Sequence, residues 1–62
     1  MLYELYEIGF DTFVLTEAEL IETARFHCSS YEDRVSYLPI ENVVQAKRYS
    51  TENGFTVREV TP

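Results

Sequence analysis

The sequence predicts an α+β fold, a three-stranded, mainly antiparallel sheet packed by one or two helices in the order β-β-α-α-β. Three observations carry that expectation. Thr16 and Glu19 have the S/T-x-x-E spacing of a capping box at the head of an apolar-periodic segment. Two short β-prone runs on either side of a glycine precede it. Asn53-Gly54 then closes a second helical pattern and opens a last β-prone run.

Leu2 to Ile8, LYELYEI, is the first expected strand, on its tyrosine and β-branched content. Alternation puts Leu2, Glu4, Tyr6 and Ile8 on one face and Tyr3, Leu5 and Glu7 on the other. Gly9-Phe10-Asp11 has turn chemistry. Thr12 to Leu15, TFVL, completes a hairpin, which needs a third strand for independent stability.

Thr16 to Ser29, TEAELIETARFHCS, organises the rest. Glu17, Glu19 and Glu22 suit the positive end of a helix dipole. Leu20, Ile21, Ala24 and Cys28 form one apolar stripe at the 3.6-residue period. Tyr31 to Arg34 is polar and expected as loop, and Val35 to Leu38 as a short strand or extended connection, with Leu38 biased from helix by Pro39. From Ile40 to Asn53 a helix is preferred over a strand. Glu41, Gln45, Arg48 and Glu52 make its polar stripe, opposite Ile40, Val43, Ala46 and Ser50. Pro39 fits a first turn. Lys47 falls in the apolar arc, where its stem packs and its amine reaches water. Phe55 to Val60 is the last strand, and the terminal Pro62 costs no ladder bond.

Sixty-two residues form one small domain with a small core. One cysteine excludes an internal disulfide and a multi-cysteine metal site, and points to a reducing compartment. No apolar run approaches the ~20 residues of a membrane span, and the N-terminus lacks a secretory pattern. The expected location is the cytoplasm.

The net charge of −6 is uneven: residues 1–33 carry −7 and residues 34–62 carry +1. An acidic half disfavours direct contact with a phosphate backbone, which requires lysine and arginine. It suits a basic protein partner, including one that itself holds nucleic acid, or simply keeps a small domain in solution.

His27 and Cys28 are helix neighbours about 100° apart, so they cannot make a thiolate-imidazole pair. They are expected as a core-margin histidine and a small core residue. No carboxylate pair has an evident pocket to separate two pKa values, and Gly9 and Gly54 are too far apart for a phosphate loop. No catalytic, metal or cofactor-binding residue is assigned, and the chain is expected not to be an enzyme. Phe26 shares a helix face with Glu19, Glu22 and Thr23, away from the apolar stripe. It is either covered by the 31–38 segment or offered to a partner. Tyr3 and Tyr6 point to opposite strand faces, so one lies on the face without helices. Acid beside tyrosine there can imitate the charge and stacking of a nucleic acid.

With LTEAEL heading the first helix and ENGFTVREV leading into the last strand, the chain resembles the small acidic α+β accessory proteins that bacteriophages encode. Its last nine residues, GFTVREVTP, are similar to the Gly-Phe-x-Val-x-x-Val-x-Pro strand of the host RNA polymerase inhibitor family of T7-like phages. Where that family carries polymerase-contacting arginines, Glu59 and Thr61 stand here. The resemblance implies a phage-type protein, in the host cytoplasm, that binds and blocks a host protein.

The expected function is therefore non-enzymatic inhibition of a nucleic-acid-handling host protein (polymerase, nuclease, or restriction or CRISPR effector) through an acidic, tyrosine-containing surface. Glu4, Tyr6, Glu19, Glu22 and Phe26 are the expected contacts. The alternative is a structural or regulatory homo-oligomer in which a bare sheet edge or face supplies burial that one copy lacks.

Overall fold

The computed structural model describes residues 1–9 and 11–60. Its elements follow the expected order: β1 (Leu2–Tyr6), β2 (Phe13–Thr16), α1 (Glu17–Ser29), a 3-10 helix (Glu32–Tyr37), α2 (Val43–Glu52) and β3 (Thr56–Val60). The sheet order is β2-β1-β3 and both pairings are antiparallel. The fold is thus α+β with a three-stranded sheet, as the sequence predicts.

Register fixes the two faces. Tyr3 pairs with Leu15 and Glu59, and Leu5 with Phe13 and Val57, on the side the helices cover. The outer face is a grid of three rows. Leu2 lies between Thr16 and Val60, Glu4 lies between Val14 and Arg58, and Tyr6 sits opposite Thr56.

The chain passes from β2 into α1 without a loop, because Thr16 is both the last strand residue and the N-cap. Its hydroxyl accepts from the Glu19 amide at 3.2 Å, and the Glu19 carboxylate accepts from the Thr16 amide at 2.9 Å. Both halves of the capping box are formed, as expected. Leu20, Ala24 and Cys28 are buried and Ile21 is half-buried, so the apolar stripe seats on the sheet and α2.

Residues 32–37 differ from expectation. They form a 3-10 helix rather than a loop followed by a short strand or extended connection. Its turn is held from outside, since the Cys28 thiol donates to the Arg34 carbonyl at 2.9 Å. Within the expected 40–53 helix only Val43–Glu52 is helical, and residues 40–42 lead into it with Asn42 extended, so α2 begins at Val43 rather than at Pro39 or Ile40. Asn42 is the cap, accepting from the Gln45 amide at 2.9 Å, while Gln45 accepts from the Glu41 amide at 2.6 Å. Ile40, Ala46 and Ser50 are buried and Val43 half-buried, on the side the polar stripe leaves free. Tyr49 joins them at 1% exposure. Lys47 reaches out to Glu59 at 3.5 Å. α2 stops at Asn53, and Gly54 follows at φ +96°, where a side chain would be strained. Gly9 turns at φ +92°. Phe10 of the expected turn, and Thr61 and Pro62 of the expected last segment, lie outside the described residues.

The core is Tyr3, Leu5, Leu20, Ala24, Cys28, Ile40, Ala46 and Tyr49. No helix among the described residues is long and apolar enough to cross a membrane.

Candidate functional site

β1 ends, β2 begins and β3 begins at one end of the sheet, and α1 crosses that end with its C-terminal half. The helix leaves part of the sheet uncovered there. Leu5, Phe13, Leu15 and Phe55 form an apolar floor, and Thr23, His27 and Tyr31 form a wall. Glu7 and Asp11 stand among the lining residues as its two carboxylates. The groove encloses about 490 Å³ and its lining is mostly apolar. Phe13 lies on the helix side of the sheet yet remains 56% exposed, because no helix reaches over it.

The wall is fixed by an aromatic cluster anchored on the buried Tyr49. The His27 ring lies 5.1 Å from Tyr31, 5.7 Å from Tyr49 and 5.2 Å edge-on from Phe55. Its Nδ1 is 2.6 Å from the Tyr49 hydroxyl. Burial pushes the His27 pKa below its ordinary value, the Arg34 guanidinium adds to that, and Glu7 opposes it. Burial likewise pushes the Tyr49 hydroxyl up, against the pull of Arg34. Arg34 in turn lies over the Tyr31 ring, 4.4 Å from its centroid. The cluster therefore holds a neutral histidine in the groove wall.

His27 and Cys28 occupy the places expected of them. Cys28 is fully buried, and burial raises its thiol pKa, so the thiolate is disfavoured. His27 is half-buried at the core margin and turned to Tyr49 instead.

The five expected contact residues fall on two surfaces. Glu19, Glu22 and Phe26 lie on the outside of α1, next to the row that carries Thr23 into the groove wall. Phe26 is 78% exposed, so the 31–38 segment does not cover it. Glu19 also serves the cap. Glu4 and Tyr6 lie across the sheet, on the face without helices. Tyr6 is the exposed tyrosine there, at 41%, while Tyr3 is buried. Glu4 is not free, for Arg58 donates to it at 2.6 Å.

Ion pairing sharpens the separation. Lys47, Arg48 and Arg58 are matched to Glu59, Glu52 and Glu4. Arg25 donates to the Ile40 carbonyl at 2.6 Å. Among the described residues, Glu7, Asp11, Glu17, Glu19, Glu22, Glu32, Asp33 and Glu41 have no ion-pair partner. Glu7 and Asp11 line the groove, Glu17, Glu19 and Glu22 lie on α1, and the other three lie on the segments that follow it. Sequence reasoning missed Phe13, Phe55, Glu7 and Asp11 as site residues. A signal existed for Phe13, an aromatic beside the turn with no polar partner, but the gap in helix cover that exposes it is a tertiary fact.

No protein-family model, curated protein or solved structure matches this chain.

Proposed function

We propose that the chain is a non-enzymatic, phage-type protein that binds a basic host protein of the nucleic-acid-handling class and blocks it. The carrying observation is the groove: an exposed aromatic floor lined also by Glu7 and Asp11, two carboxylates without an ion-pair partner among the described residues. Its shape and chemistry suit a lysine or arginine side chain. The aliphatic stem packs on Phe13, Leu15 and Phe55, and the cationic head meets Glu7, Asp11 and the ring faces.

Magnitudes divide the work. An ion pair at a solvated rim contributes about 0–1 kcal/mol. Burying apolar groove surface contributes about 25 cal/mol per Å². Affinity therefore comes from the apolar floor and from Phe26, while the acids set encounter rate and choice of partner. Nucleic-acid enzymes are the favoured class because their substrate channels present clustered arginine and lysine.

The test is capture from bacterial lysate by the wild type, by Phe26→Ala, and by the pair Glu7→Lys with Asp11→Lys. A polymerase or nuclease retained by the wild type, released by salt and lost with the paired variant is the expected result. Adding the wild-type protein to that purified enzyme then slows its action on nucleic acid. Retention that is indifferent to the charge reversal, or binding without inhibition, would overturn the proposal.

A further inference from the structure

We infer that the sheet face without helices is a self-association surface, taking a second copy of this chain back to back. The inference is independent of what the groove binds.

The reason lies in how charge is placed on that face. The molecule carries −6, so two copies repel through almost any pair of surfaces. The outer sheet face is a surface where that repulsion is absent. Among the described residues, its charged ones are Glu4 and Arg58, which sit opposite each other in register and are joined at 2.6 Å. The face is therefore neutral, and its two charges occupy adjacent strands. A two-fold axis parallel to the strands, running between β1 and β3, brings each β1 onto the partner's β3. Glu4 then meets Arg58 of the partner subunit, Leu2 meets Val60 of the partner subunit, and Tyr6 meets Thr56 of the partner subunit. Every row finds a compatible neighbour, as an isologous interface requires. Sheets stack in this way about 10 Å apart with strands within about 30° of alignment.

Burial gives the tendency its sense. The chain has one small core on one side of its sheet. Covering the other side completes the layered arrangement by which sheets bury both faces. Three strands about 4.8 Å apart make a narrow face, smaller than a standard interface of about 800 Å² per partner. The association is accordingly a dissociable one, visible as a concentration dependence. Back-to-back packing leaves both grooves facing outward, so the dimer offers two binding sites.

Sedimentation equilibrium over a wide concentration range tests this. The wild type is expected to move from the 7.3 kDa of one chain towards twice that mass. Arg58→Glu and Glu4→Arg, each alone, place like charges across the axis and are expected to stay monomeric. Mixed in equal amounts, they restore opposite charges in both central contacts, and the dimer is expected to return. Circular dichroism checks that each remains folded. Should either lose its helix signal, Tyr6→Lys serves in its place, because Tyr6 is exposed and takes no part in the core. A wild type that remains monomeric at millimolar concentration would overturn the inference. So would a dimer that survives Arg58→Glu or Tyr6→Lys undiminished, or single variants whose mixture stays monomeric.

Discussion

The groove beneath α1 and the outer face of the sheet share the same hairpin, yet they differ in almost every property that governs binding. The groove is concave, aromatic and bordered by acids without ion-pair partners. The sheet face is open, mixed in composition and electrically closed by Glu4 and Arg58. Glu4 and Glu7 are three residues apart in the chain, but one is matched across β3 and the other is left at the groove. Acidity along a sequence is thus a poor guide to where negative charge acts. Pairing across the sheet decides it.

The largest expected effect comes from the residue that holds the two regions on opposite sides of one core. Leu20 is fully buried beneath α1. Leu20→Ala is expected to cost about 3 kcal/mol. A chain of 62 residues has about 3–9 kcal/mol in all, so the variant should lose about a third or more of its stability and unfold at a much lower urea midpoint. A midpoint close to wild type would mean that α1 is not seated as described.

Tyr49→Phe should act on the groove side alone. It leaves His27 Nδ1 without its partner, at an expected cost of about 1–2 kcal/mol. Thermal denaturation measures the loss, and amide chemical shifts should change at Thr23, His27 and Tyr31 but not at Glu4 or Arg58. Disturbance of the sheet face would join two regions that the structure separates.

Removing the cap touches a place between the two, where the sheet turns into the helix. Thr16→Ala should cost about 1 kcal/mol in the same denaturation experiment. A neutral result would show that the capping box is replaced readily by water.

The smallest effect is one of pH. The folded protein holds His27 below its ordinary pKa, so the unfolded chain binds the extra proton first. Stability from this source is complete above about pH 6.5 and is lost as pH falls from there through the folded value. His27→Gln should flatten that part of the stability profile relative to wild type. The same protonation places a cation in the groove wall, so acidification should also weaken binding of a basic partner. An unchanged slope in the variant would remove His27 from both effects.

Much of this fold was legible because its signals are local. Thr16 and Glu19 announce a helix start within four residues, and Asn53-Gly54 announces a stop. The start of α2 was misplaced, because Pro39 suits a first turn whereas the cap that forms is Asn42 on the Gln45 amide. The 3-10 helix was not legible. Its turn is secured by the Cys28 thiol, several residues away, so the polar text of residues 32–37 carries no trace of it. The site divides in the same manner. Phe26 stood out on the polar face of α1 and is exposed. Glu4 looked like a free acid until register set it opposite Arg58. The groove depends on where α1 ends relative to Phe13 and Phe55, and no local pattern encodes that distance.

The central claim is that the aromatic groove, and not the sheet face, receives a basic partner. Amide chemical-shift mapping tests it most directly, using isotope-labelled protein and a short peptide of alternating lysine and leucine at low salt. The account predicts the largest shifts at Leu5, Glu7, Phe13, Thr23, His27 and Phe55, with Glu4 and Arg58 quiet and all shifts reduced as salt is raised. Shifts that centre on Glu4, Tyr6 and Arg58, or that spread evenly over every acidic residue, would contradict it.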